Sequence, residues 1–337
     1  LLDGKKILIT SCGGLGDLLM FTPALRKLKQ MYPHLILTFL TNEHNRDVLS
    51  GLAYIDKVVT IQRKKAFGRL RVLPDLYKQD VIIFTDWQPQ LLVCAKLLGV
   101  ENRIGIPKPN HSLNKYFTKI LKNNVMHSSR YAAETNAIIF SEALDCTIDG
   151  DMTNYDISLP TADNVKSVDN MLMNLGLKSD SVYICLAPFT GMEERNWPVE
   201  HVKKFVELVR DNLDIPIILI GPSHKKEIAN SIDTFNLVGQ TSVLEMVELI
   251  KRAKIFIGSD SGPMHIAGAV DTPVIAMFNK DLPSRWAPKN HCRVIKLDMP
   301  CCPCTDQVAR SCQTVECMRG IIPEMVFQVL SENLNNE

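Results

Sequence analysis

The chain of 337 residues is 46% hydrophobic and 22% charged, a balance that supplies packed cores and excludes a disordered or fibrous protein. At ~100–200 residues per domain the length points to two domains, and no apolar run approaches the ~18 residues of a membrane span. The formal net charge is only +1, yet residues 1–160 hold 20 Lys and Arg against 15 Asp and Glu, and the remainder 18 against 22, so a basic half precedes an acidic one.

Short β-branched runs alternate with stretches of helical period. The opening Leu1–Thr10 reads as a strand entering a glycine-rich turn rather than as a signal peptide. In the first half strands are expected at Lys6–Thr10, Leu35–Leu40, Lys57–Ile61, Val81–Thr85 and Arg103–Ile106, with a helix over Leu18–Met31. Basic residues gather at Arg63, Lys64, Lys65, Arg69 and Arg71, and again at Lys108, Lys115, Lys119 and Lys122. Either group reads as a solvated surface or as a face for an acidic acceptor or anionic membrane. In Ser112–Lys122 the apolar residues share one helical face, as in a core-facing helix or one lying at a lipid interface. A linker is expected near Asp156–Asp163. The second half repeats the programme, with strands at Val182–Ala187, Pro216–Ile220, Asn236–Val238, Ile255–Ile257 and Pro273–Phe278. Helices are expected at Val199–Asn212, Val243–Arg252, Met264–Ala269 and about Pro323–Asn333. Strands alternating with helices in this way make an α/β protein with doubly wound parallel sheets.

Three segments carry chemistry. The first, Ser11-Cys12-Gly13-Gly14-Leu15-Gly16-Asp17, follows the first strand, and Gly14 and Gly16 allow a close backbone approach. Leu19 stands where a dinucleotide fingerprint needs its third glycine, which ranks a nicotinamide dehydrogenase last. Asp17 either caps the following helix or faces the crevice at the end of the strand. The second, Gly258-Ser259-Asp260-Ser261-Gly262-Pro263-Met264-His265, ends a strand and opens a helix, a natural diphosphate site, with His265 one short turn in. The third, Ala187–Pro198, is a polar loop in which Arg195 offers a permanent charge to phosphate or pairs with Glu193 or Glu194.

Taken together, "ILITSCGGLGDLLMFTPALRKLKQMYP", "ERNWPVEH" and "GSDSGPMHIAGAVDTPVIAMF" resemble the bacterial heptosyltransferases, inverting glycosyltransferases of lipopolysaccharide core biosynthesis. The resemblance implies a GT-B architecture of two Rossmann-like domains facing a central cleft. Residues 1–160 would bind the acceptor, 161–320 the nucleotide sugar, and 321–337 would form a helix crossing back to the first domain. It makes Asp17 the catalytic base in a glycine turn with Gly14 and Gly16. Donor binding falls to Thr190, Arg195, Glu227, Gly239, Thr241, Asp260, Ser261, Gly262 and His265. Asn279 and Asp271 stand where the family often has glycine near the donor pocket. Arg63, Lys64 and Lys65 become candidates for acceptor binding. The implied partners are ADP-heptose and an acidic glycolipid or glycan, with peripheral contact at the inner membrane, a cytoplasmic location, no nucleic acid, no cofactor and no catalytic metal.

Two rivals remain at this stage, a non-catalytic nucleotide-sugar binder and a nucleotide-sugar epimerase on a similar scaffold. Six of the ten cysteines crowd into Cys292–Cys317. Structural zinc, buried thiols and a local disulfide are the alternatives for them.

Overall fold

The computed structural model describes residues 2–62, 70–122 and 129–335. The chain divides into two compact units, Leu1–Ser158 and Leu159–Glu337.

The first unit is built on β1 (Lys6–Thr10), β2 (Ile36–Asn42), β3 (Lys57–Ile61), β4 (Val81–Phe84), β5 (Asn102–Gly105) and β6 (Lys119–Ile120), all parallel, in the order β3-β2-β1-β4-β5-β6. Ile7, Leu8 and Ile9 of β1 and Ile82, Ile83 and Phe84 of β4 are almost wholly buried. Such continuous apolar runs suit strands covered on both faces. The rings of Phe21 and Phe140 stack at 5.7 Å and Phe21 tilts against Phe39 of β2 at 5.9 Å, which packs the helices Thr22–Met31 and Ala132–Leu144 together over the sheet.

Two expectations for this unit are corrected. The helix expected over Leu18–Met31 is two helices, Leu15–Leu19 and Thr22–Met31. Pro23 has no N–H to offer the Leu19 carbonyl, and the Thr22 hydroxyl donates to that carbonyl instead, at 2.7 Å. Ser112–Lys122 is not an amphipathic helix either. Ser112–Tyr116 forms a 3-10 turn, after which Phe117 adopts extended backbone and packs its ring against Phe84 at 5.8 Å and Trp87 at 6.2 Å. Strand bonds from Thr118 N to Arg103 O and from Leu121 N to Gly105 O then replace helical ones. Phe117 and the buried Leu121 serve the sheet while Ile120 stays exposed, and a 3-10 turn and a short strand take the place of the expected helix.

The second unit repeats the topology with β7 (Ile184–Ala187), β8 (Ile217–Leu219), β9 (Phe235–Asn236), β10 (Ile255–Ser259), β11 (Val274–Phe278) and β12 (Cys292–Lys296), in the order β12-β11-β10-β7-β8-β9. β12 is not among the expected strands, being an edge strand in which Cys, Arg and Lys interrupt the apolar run. Trp197, wholly buried, donates from Nε1 to Ile321 O at 2.7 Å. Beyond it the helix Pro323–Asn335 buries Val326 and Leu330 in one cluster with Val202, Phe205 and Val206 of the helix Val199–Asn212. The last helix, expected to cross back to the first domain, packs against the helix Val199–Asn212 of the second unit. Among the described residues no helix is long and apolar enough to cross a membrane.

In each sheet the strand order reverses beside the first strand, between β1 and β4 and between β7 and β10. Doubly wound sheets bind ligands in the crevice outside the carboxyl ends of the strands at such a point.

Candidate active site

In the first unit the turn after β1 is tied down from two neighbouring strands. The side-chain amide of Asn42 donates to Cys12 O at 2.8 Å and that of Asn45 to Gly13 O at 3.1 Å. From beyond β4, Asp86 accepts from Cys12 N at 3.1 Å and from Gln88 Nε2 at 2.7 Å. Asp17, half-buried in the helix Leu15–Leu19, accepts the Gly14 N–H at Oδ2, 2.8 Å away. It thus closes the capping box of this helix, in the turn that follows β1. Gly13 is needed for a steric reason, because a Cβ there would lie 2.7 Å from Asp17 Oδ2. Asn42, Asn45 and Asp86 went unnoticed in the sequence. An acid directly after a buried strand was the available signal for Asp86.

In the second unit a cavity of about 260 Å³ opens at the β7–β10 switch point. Phe189, Pro222, Val243 and Met246 give it apolar walls, and Thr190, Thr241 and Ser261 contribute hydroxyl-bearing residues. Thr190 is fixed by its own loop, its N–H donating to Asn196 Oδ1 at 2.6 Å and its hydroxyl to Met192 O at 2.8 Å. Ser261 and Gly262 open the helix Gly262–Ala269, whose N-terminal amides and dipole favour an anion.

Arg195 neither lines this cavity nor pairs with Glu193 or Glu194. Glu193 binds Lys225 at 2.6 Å, and the Glu194 carbonyl accepts the buried Asn279 side-chain amide at 2.5 Å. Asn279 thereby pins the turn that carries Arg195. The guanidinium points inward. Nη1 donates to Asp260 O at 3.0 Å, one residue before Ser261, and Nη2 to Asp281 Oδ2 at 2.6 Å. Asp281 also meets Lys280 Nζ at 3.1 Å, and Lys280, only 3% exposed, reaches Asp306 at 2.6 Å. Burial works against the Lys280 charge, but the bonds to Asp306 and Asp281 outweigh it and hold the ammonium above its ordinary range. Burial pushes the Asp260 carboxyl up, Arg195 opposes the shift, and neighbouring Asp281 adds to it.

The other expected residues scatter. His265 is buried on the helix, its ring 6.3 Å from Trp286, and does not line the cavity; burial, and then Arg195, pull its pKa down to about 3, so the ring is neutral. Gly239 is also absent from the lining, but its φ of +71° and a Cβ position 2.5 Å from Ser223 Cα leave room for glycine alone. Glu227 is exposed on the short helix Lys226–Ala229 and does not line the cavity. Asp271 was expected near the donor pocket, yet it precedes β11 while the cavity lies at the opposite, carboxyl ends of the strands. It adopts φ +56°, the left-handed backbone that favours glycine. Arg63, Lys64 and Lys65 lie outside the described residues. All ten cysteines are free thiols. Among the described residues no group of three or more His, Cys, Asp or Glu side chains is arranged to hold a metal ion.

The model of glycosyltransferase family 9 (heptosyltransferase) matches residues 95–314. Lipopolysaccharide heptosyltransferase 3 of Escherichia coli strain K12 is 28% identical over 292 residues, which span 81% of this chain and 82% of that protein. Among solved structures, a family 9 glycosyl transferase from Veillonella parvula aligns with a TM-score of 0.84 at 18% identity, covering 100% of this chain and 99% of its own. The E. coli ADP-heptose lipopolysaccharide heptosyltransferase II aligns at 0.76 and 18% identity, covering 98% and 99%. These likenesses establish the two-domain α/β fold, GT-B, over the length of the chain.

Proposed function

The chain belongs to glycosyltransferase family 9, the heptosyltransferases, and is a glycosyltransferase; on that premise we propose that it moves heptose from ADP-heptose onto an acidic glycan or glycolipid of the lipopolysaccharide core. The observation that carries the donor half of this reading is the cavity at the β7–β10 switch point. At about 260 Å³ it is a little smaller than the ~300–1,000 Å³ of pockets that enclose whole drug-sized ligands, which suits the nucleoside end of the donor. The base would lie between Met246, Val243 and Pro222, with Thr241 at its edge. The diphosphate would meet Thr190, the amides at Ser261 and Gly262, and the charge of Arg195 behind Asp260.

The reaction is a single displacement. The acceptor oxygen attacks the anomeric carbon, the bond from that carbon to the phosphate oxygen breaks, and ADP leaves with the electron pair. Asp17 takes the proton of the attacking hydroxyl, a role worth ~10²–10⁴-fold. Its tie to Gly14 N–H fixes the carboxylate's orientation. Charge growing on the departing diphosphate is met by the helix N-terminus and Arg195 rather than by a metal ion. Asp260, Ser261 and Gly262 are assigned to the donor side. Arg63, Lys64 and Lys65 are assigned to the acidic acceptor, so replacing all three weakens acceptor use and leaves nucleotide binding unchanged.

A thermal-shift series with ADP-, UDP- and GDP-linked sugars tests the donor assignment, because a ligand that binds only the folded state raises the melting temperature. ADP-heptose gives the largest rise; a clear preference for a UDP- or GDP-sugar overturns it.

A further inference from the structure

The arginine assigned to the donor diphosphate stands between two carboxylates. Asp281 holds Nη2 at 2.6 Å, and the Asp260 carboxyl lies 3.6 Å from Nη1. Both acids are well buried, their side chains 18% and 5% exposed, so solvent screens them little. Asp281 is the carboxylate that neutralises the guanidinium, since burial pushes the Asp260 carboxyl up. One cation offsets it. Lys280 is 3% exposed and bonds both oxygens of Asp281, Oδ2 at 3.1 Å and Oδ1 at 3.3 Å. It is itself held from the cysteine-bearing segment, where Cys304 N donates to Lys280 O at 3.2 Å and Asp306, in the first turn of the helix Asp306–Ser311, accepts its ammonium.

We propose that Lys280 is a positioning residue for donor phosphate. It draws the Asp281 carboxylate away from full neutralisation of Arg195, so that Arg195 stays both fixed and electrostatically available beside the Ser261–Gly262 turn. The geometry gives each member one task. Asp281 orients the guanidinium, the Asp260 carbonyl ties it to the phosphate-binding turn, and Lys280 offsets the Asp281 charge. Burying a lysine is costly unless it is paired, and a buried pair adds little net stability compared with apolar packing. Its electrostatic effect on the arginine is what this lysine contributes. The same arrangement gives the segment Cys304–Asp306 a purpose, since it anchors Lys280 through the Cys304 N–H and the Asp306 carboxylate.

The inference rests on the donor reading above and is tested separately from it. Titration calorimetry compares ADP with adenosine, which has the same nucleoside and no phosphate, on the wild type and on Lys280→Met, Lys280→Gln and Lys280→Arg. Wild-type protein binds ADP more tightly than adenosine. Lys280→Met and Lys280→Gln weaken ADP roughly tenfold and leave adenosine unchanged, and Lys280→Arg restores ADP binding. Lys280→Gln, which keeps hydrogen-bonding reach to both acids, serves if Lys280→Met does not fold. Equal loss of ADP and adenosine would mean a merely structural lysine and overturn the proposal, as would unchanged ADP binding in both neutral variants. A wild type that holds ADP no better than adenosine would overturn the donor reading, and the role of Lys280 with it.

Discussion

The two switch points have the same strand order and are built in opposite ways. In the first unit the turn after β1 is held by neutral amides, Asn42 and Asn45, and by Asp86, which leaves the half-buried Asp17 carboxylate at a helix start. In the second, the turn after β10 is backed by a run of alternating charge from the exposed Asp306 through Lys280, Asp281 and Arg195 to the buried Asp260. On the proposed reading, a topology that merely offers a crevice becomes a seat for a base in one unit and for an anion in the other. The fold fixes where chemistry happens, and a handful of side chains beyond the strand ends decides which chemistry.

The sharpest way to disturb this contrast is at Arg195. Arg195→Ala removes a charged donor and leaves Asp281 and Asp260 facing the phosphate, so ADP affinity falls by about 10–100-fold, read by calorimetry, while adenosine binding stays. The matching change in the first unit is Gly13→Ala. Its new Cβ would lie 2.7 Å from Asp17 Oδ2, which must move. Transfer then drops roughly tenfold with ADP affinity unchanged, because only the base is displaced. Gly239→Ala touches neither set of charges. It strains a φ of +71° and meets Ser223, lowering stability by about 1–3 kcal/mol in chemical denaturation. The smallest effect is on pH dependence. His265 has its pKa pulled down to about 3 by burial, so below pH ~6.5 the unfolded chain takes up a proton that the fold refuses. Stability is lost as pH falls from 6.5 toward 3, and the melting temperature of His265→Gln declines less steeply over that window than that of the wild type.

Much of this was legible in the residues because it is local. The β-branched runs of β1 and β11 announce buried parallel strands, and Asp-Ser-Gly-Pro announces the turn from β10 into the helix Gly262–Ala269. Elements whose identity depends on distant partners were not legible. Ser112–Lys122 has a helical face by count, but its apolar residues are claimed by Phe84 and by strand pairing with β5. Arg195 reads as a surface charge beside two glutamates; its true partners lie 65 and 86 residues away. Lys280 and Asp281 carry no motif at all. The cysteine segment gained meaning only when Cys304 and Asp306 were found against Lys280.

The division of labour between the units is tested most directly by Asp17→Asn, assayed on one preparation for heptose transfer from ADP-heptose and for ADP affinity. Transfer falls by at least ~10²-fold while ADP binds as to the wild type, since the base is lost and the anion seat is untouched. Transfer at the wild-type rate, or an equal loss of ADP binding, would contradict the assignment of the base to the first unit and of the donor to the second.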